Sequence, residues 1–144
     1  MSERNLKTIR KFVHGSARKI KDVAAREVHV LEDRHAKKIA DECGCTVHDV
    51  YHEALKEGVC PYRYVRNREG ISIEEQLVLA ESRVAVIGAG GLGGYVILQL
   101  ARLGIGQLVV VDHDVFDETN LNRQVLSSGK ALNKSKAAEA AAPA

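Results

Sequence analysis

Two rhythms of apolar residues run along the chain, and they change over near Ser82. Before it, apolar positions recur at helical steps. Between Lys19 and Ile39 the set Ile20, Val23, Ala24, Val28, Val30 and Leu31 falls loosely at intervals of three and four, which predicts one stripe of a helix. Thr46 with Asp49 forms a capping box that opens a helix through His52, Ala54 and Leu55. Gly58 is placed to close that helix from a left-handed conformation, and Pro61 prevents its continuation. A second box, Ser72 with Glu75, starts a short helix carrying Leu77 and Leu79. Residues 1–60 are therefore expected to form a helical arm.

After Ser82 the period is lost, because Arg83-Val-Ala-Val-Ile87 is β-branched and almost wholly apolar, as a strand buried on both faces of a parallel sheet would be. Glycines follow it, then Tyr95 to Leu103 predicts a helix ended by Gly104, and Leu108-Val-Val-Val-Asp112 a second buried strand. Strand, helix and strand make a βαβ unit, whose crossover is right-handed in nearly all known cases. The fold class is α/β, a Rossmann-like parallel sheet. A last, alanine-rich helix is expected over Lys134 to Ala142, before Pro143 and Ala144. Two parallel strands cannot cover their own faces and edges, so residues 61–144 read as the first part of a truncated nucleotide-binding domain.

At 144 residues the chain has the size of one domain, and 45% hydrophobic with 28% charged residues excludes collagen-like, disordered and membrane-embedded classes. No apolar run approaches the ~20 residues of a membrane span. The N-terminus stays charged through Lys11 and does not resemble a secretory signal, and three cysteines, Cys43, Cys45 and Cys60, suit a reducing compartment. A cytoplasmic protein is expected. Residues 1–67 hold 14 Lys and Arg against 10 Asp and Glu, and residues 68–144 hold 7 against 9. That imbalance is too mild for a dedicated nucleic-acid binder and reads as solvated helix faces.

Gly88-Ala-Gly90-Gly91-Leu-Gly93 matches G-x-G-x-x-G where the motif has physical meaning, between a buried strand and a helix. Gly88 permits the tight turn, Gly90 lets backbone amides approach a phosphate, and Gly93 lets the helix pack on the strand. The helix start, with its unpaired N–H groups and partial positive charge, favours an anion. Asp112 ends the second strand at the spacing of an acidic residue that accepts hydrogen bonds from ribose hydroxyls, so an NAD-binding oxidoreductase domain is the first reading. The following residues oppose it. Asp114, Asp117, Thr119, Asn120, Asn122, Arg123 and Gln124, with Lys136 further on, form a polar cluster that a plain dinucleotide site does not need. Chemistry at a triphosphate does need such groups, cations to offset charge and amides to orient oxygens.

The ordered set Arg63-Tyr-Val-Arg66-Asn67, Glu75-Gln76, Ser82 to Gly94, Gly104-Ile-Gly106, Val111-Asp-His-Asp114, Asn120-Leu-Asn-Arg-Gln124 and Lys136 resembles the ThiF/MoeB/HesA family, bacterial relatives of the ubiquitin-activating enzymes. The resemblance covers roughly Pro61 to Ala142. It implies binding of ATP and magnesium (Mg2+) and adenylation of the C-terminal carboxylate of a small ubiquitin-like sulfur-carrier protein, with pyrophosphate released. On this resemblance Gly91 approaches the phosphates, Asp112 holds the ribose, Asn120, Arg123 and Lys136 contact the triphosphate, and Gln124 supports that segment. Arg66 matches the arginine that, in a homodimer, reaches into the partner's site. The family's magnesium-holding aspartate and its zinc site of paired Cys-x-x-Cys motifs fall beyond this stretch, so no metal ligand is assigned here, and little adenylation by the chain alone is expected in an ATP–pyrophosphate exchange assay. Relatives serve thiamine, molybdopterin, cysteine and tRNA-modification pathways.

Two further features lie in the arm. Ala40, Gly44 and Val50 keep helix-turn-helix spacing, the basis for an alternative reading as a DNA-binding module, although its recognition helix would offer His48, Asp49, His52 and Glu53, two of them acidic. Cys43, Cys45, His48 and His52 have ligand-like chemistry for zinc, but one residue between the cysteines is tighter than the usual spacing, and a buried cysteine with exposed histidines is the expectation.

Overall fold

The computed structural model describes residues 2–141. They form two compact units divided between Glu81 and Ser82, beyond the 60/61 boundary anticipated from the residue pattern. The first contains α1 (Glu3–Ser16), β1 (Arg18–Lys21), β2 (Glu27–Leu31), α2 (Asp33–Cys43), α3 (Val47–Lys56), β3 (Val59–Pro61), a 3-10 segment (Tyr62–Glu69) and α4 (Ile73–Glu81). The second contains β4 (Arg83–Ile87), α5 (Gly91–Leu103), β5 (Gln107–Val111), a short 3-10 turn (Glu118–Asn120) and α6 (Lys136–Ala141).

Three helices of the arm form, but the segment from Lys19 is not one of them. Residues 18–31 make a β-hairpin instead, with Arg18 opposite Val30, and α2 starts only at Asp33. The physical reason is local. Val28 and Val30 alternate with polar residues and are both buried, a period of two that β-branched side chains favour. The turn is held by Asp22, whose carboxylate accepts the N–H groups of Ala24 and Arg26 at 2.9 Å, together with the Arg26 Nε at 2.9 Å, while Ala25 takes a left-handed φ of 59°. Burial alone would raise the Asp22 pKa, but the donors from Arg26 and Ala24 outweigh it and hold the carboxyl below its ordinary value. β2 also pairs in parallel with β3, Val30 opposite Cys60, so the arm is mixed α/β around a three-stranded sheet.

The main core of this unit joins Ile9 and Val13 of α1, Leu31 of β2, Ile39 and Ala40 of α2, and Val50 and Ala54 of α3. Both capping boxes are present: Thr46 and Asp49 exchange backbone bonds, as do Ser72 and Glu75. Gly44 at φ 61° turns the chain from α2 into α3. This helix pair does not leave a reading helix free. In α3, Val50, Tyr51, Glu53, Ala54 and Leu55 are buried, Arg10 of α1 bonds Glu53 at 2.7 Å, and His52 bonds Glu81 of α4 at 2.8 Å. Only His48 and Lys56 of α3 are exposed, and base readout needs a helix face open to the groove. The helix-turn-helix spacing thus builds a protein interior.

In the second unit β4 and β5 pair in parallel from Arg83 opposite Gln107 to Ile87 opposite Val111, with α5 between them in sequence and Gly104 closing α5 at φ 92°. The apolar runs predict burial on both faces. Instead Val84, Val86, Leu108 and Val110 are half-buried, whereas Ala85, Ile87, Val109 and Val111 on the opposite face are exposed, Ile87 by 85%. Beyond β5 the chain loops back on fully buried Phe116, whose N–H donates to the Lys134 carbonyl at 2.9 Å. The alanine-rich helix runs over Lys136–Ala141, and Ala142, Pro143 and Ala144 lie outside the described residues.

Candidate nucleotide site

The glycine turn after β4 is shaped by close approach. Gly88 has a φ of 93° and donates its N–H to the Val111 carbonyl at 2.7 Å, tying the turn to the end of β5. A Cβ on Gly93 would sit 1.8 Å from the Gly88 carbonyl oxygen, so only glycine lets α5 start there. Gly90 precedes α5 without a side-chain cap, which leaves first-turn N–H groups for an incoming acceptor. Gly93 therefore acts from beneath the turn.

Asp112 stands beside this helix start. Its carboxylate accepts the Ala89 N–H at 2.6 Å and the Asp114 N–H at 2.8 Å. The Ala89 bond first, then the Asp114 N–H and the nearby Lys136 charge, hold its carboxyl below the ordinary aspartate range against a smaller opposing effect of burial. An ionised acceptor results.

The polar segment after β5 folds against the glycines. Asn120 is buried, its side chain accepting the Asp117 N–H at 3.0 Å and its carbonyl accepting the Gln124 N–H at 2.9 Å. That turn brings the Arg123 carbonyl to 3.9 Å from where a Cβ on Gly91 would lie, and the Gln124 amide nitrogen to the same distance from one on Gly90. Gln124 is 6% exposed, and its Oε1 is buried without a hydrogen-bond partner. Lys136 is 5% exposed and lies 3.1 Å from the Asp114 carboxylate, with its ammonium 5.9 Å from the centre of the Phe116 ring.

Gly88, Gly90, Gly91, Asp112, Asp114, Arg123, Gln124 and Lys136 thus line one cleft of about 530 Å³, within the usual size for a small-molecule site. Four predicted residues do not line it. Gly93 packs beneath it, Asn120 holds the turn, Asn122 is exposed on that turn, and Arg66 is exposed in the first unit beside Tyr62 and Val65. Three lining residues escaped sequence reasoning: Ile87, Val111 and His113. Their signal was position, since ligands of open parallel sheets gather at the carboxyl ends of the strands.

The family resemblance implies two metals, magnesium and zinc. Among the described residues, the group whose donor atoms come together is Asp112, His113 and Asp114. Both Asp112 oxygens accept backbone N–H groups and Asp114 faces an ammonium, a poor environment for a hard divalent cation. Cys43 and Cys45 pack against the first unit's core, and His48 stacks on His52, so these four do not assemble for zinc.

A profile of the ThiF family matches residues 64–144. This chain belongs to the ThiF family. The Arabidopsis thaliana adenylyltransferase and sulfurtransferase MOCS3 is 41% identical over 61% of this chain and 20% of its own length. The SAMP-activating enzyme E1 of Haloferax volcanii is 46% identical over 56% of the chain and 30% of its length, and UBA4 of Vanderwaltozyma polyspora 47% over 69% and 23%. The ThiF-family chain thus spans about a fifth to a third of these relatives, two of which are named adenylyltransferases. Among solved structures, TcdA (CsdL) superposes with a TM-score of 0.53 at 29% identity, over 55% of this chain and 31% of that one. E. coli MccB with AMPCPP and MccA gives 0.51 at 28% identity, over 73% and 36%. The likeness supports the α/β assignment.

Proposed function

We propose that this ThiF-family chain supplies the ATP site for adenylation of the C-terminal carboxylate of a small ubiquitin-like sulfur-carrier protein. The observation that carries this reading is the convergence of the glycine turn, Asp112, Arg123 and Lys136 on one cleft. The names of the relatives, and the AMPCPP and MccA held by MccB, support it.

A carboxylate oxygen attacks the α-phosphorus, the bond from that phosphorus to the bridging oxygen breaks, and pyrophosphate leaves. Two anions must meet, so offsetting charge comes before geometry. The first-turn N–H groups of α5 meet the phosphates at Gly91, Arg123 and Lys136 lower the repulsion, and Asp112 accepts the ribose hydroxyls. Gln124 and Asn120 fix the turn that carries Arg123. Magnesium enters with the nucleotide as part of the substrate. Arg66 adds a guanidinium to the site of a second copy in a homodimer. The reaction belongs in the cytoplasm, where nucleotide and reduced thiols are plentiful; no helix among the described residues is long and apolar enough to cross a membrane.

Calorimetric titration of the full chain with MgATP, AMP and NAD tests the reading. ATP is expected to bind more tightly than AMP, and Arg123→Ala or Lys136→Met to weaken ATP about tenfold or more while leaving AMP nearly unchanged, since each removes one charge-assisted contact to the outer phosphates. NAD binding as well as ATP, indifferent to both substitutions, would favour the oxidoreductase reading instead.

A further inference from the structure

We propose that Asp114 is a positioning residue for Lys136: it holds the ammonium at the cleft wall before nucleotide arrives and yields it to the outer phosphates afterwards. The inference rests on the ATP reading above and assigns a task to a carboxylate that does not need to touch the nucleotide.

Lys136 is an unusual lysine for a protein surface. Its side chain is 7% exposed, and a buried ammonium without a counterion carries a large desolvation cost. Asp114 Oδ2, at 3.1 Å, supplies that counterion. The two residues are tied twice, because the Lys136 N–H also donates to the Asp114 carbonyl at 3.0 Å. The backbone link fixes where the lysine starts, and fully buried Phe116 stands 5.9 Å from its ammonium.

The two carboxylates of the Asp112-His113-Asp114 sequence are placed differently. Asp112 has both oxygens engaged by backbone donors, whereas the Asp114 side chain is 53% exposed and meets the Lys136 ammonium and the exposed His113 ring. A half-exposed carboxylate can turn to water at small cost, while the buried ammonium cannot be left alone. A polyphosphate entering the same cleft presents more negative charge than one carboxylate does, so the exchange of partners runs towards the nucleotide. AMP lacks the outer phosphates and does not compel it. Asp114 is thus a stand-in for the phosphate that keeps Lys136 aimed into the cleft.

The test compares ATP and AMP affinities of the full chain carrying Asp114→Asn, Lys136→Met or both, with thermal unfolding of each. Asn keeps the backbone link to Lys136 and removes the competing charge. The expected result is a several-fold rise in the preference for ATP over AMP in Asp114→Asn, and a Lys136→Met penalty on ATP larger in that background than in the unmodified chain. A residue needed only for folding would weaken both nucleotides alike and lower the unfolding temperature in step, which would overturn the proposal. So would a selective loss of ATP binding in Asp114→Asn, which marks a direct ligand contact, or additive effects in the double variant. In those cases ATP still binds the unmodified chain and the functional reading survives; failure of the unmodified chain to bind ATP overturns both.

Discussion

The two units are held together by different physics. In the first, Ile9, Val13, Val30, Leu31 and Val50 are wholly inaccessible, drawn from one helix after another and from the central strand. In the second, Phe116 is the one large side chain buried to that degree among the described residues, while Ile87, Leu92, Tyr95, Val109 and Val111 are exposed. What replaces side-chain packing there is backbone geometry: a glycine turn bonded to the end of β5, an aspartate bridging two N–H groups, and an asparagine-held turn laid against the glycines. Apolar burial and ligand chemistry are thus segregated, and the unit bearing the cleft is the one with less apolar interior to spare.

That contrast is broken most severely at Gly93. Gly93→Ala places a methyl 1.8 Å from the Gly88 oxygen, so the turn must open. Destabilisation of the second unit by about 4 kcal/mol or more is expected, with nucleotide binding abolished in a titration and the tyrosine signal of the first unit retained. In the first unit the largest effect comes from the core. Leu31→Ala should cost about 3 kcal/mol by cavity formation, read in urea from tyrosine fluorescence, since Tyr51, Tyr62 and Tyr64 all belong to that unit, and ATP affinity should be unchanged.

A smaller effect sharpens the comparison through pH. The Asp112 carboxyl is lowered in the folded chain, so its contribution is complete above the ordinary aspartate value of about 3.9 and disappears as pH falls through the lowered value. Asp112→Asn should therefore destabilise the second unit by about 1 kcal/mol near neutrality and flatten the loss of its stability below roughly pH 4, as followed by circular dichroism. Leu31→Ala, which changes no charge, should leave that acid limb as it is.

Much of this architecture was legible in the order of residues. Both capping boxes and the glycine closing α5 depend on contacts three or four positions apart or on a single backbone dihedral, and such features are written locally, while the βαβ unit is legible from two apolar runs flanking a glycine turn and a helix. The hairpin over residues 18–31 was not, because spacings of three and four among Ile20, Val23, Ala24 and Val28 imitate a helix. The alternation of Val28 with Val30 became decisive only once β3 offered its edge to β2. The helix-turn-helix spacing was equally real and equally silent about its use. Whether α3 meets DNA or protein depends on Arg10 and Glu81, which lie 43 and 29 residues along the chain from their partners Glu53 and His52.

The sequence by itself determined the family, the parallel strand pair and the chemical types of residue the cleft contains, since glycines that admit a close approach and charged groups at fixed spacing are properties of the chain. Tertiary structure decided which of those residues share the cleft. It set Arg123, Gln124 and Lys136 beside the glycine turn, withdrew Asn120 and Gly93 into supporting roles, and gave Lys136 a carboxylate to lean on. Those outcomes depend on distances between segments far apart in sequence, and a distance of that kind is fixed only when the chain between them has folded.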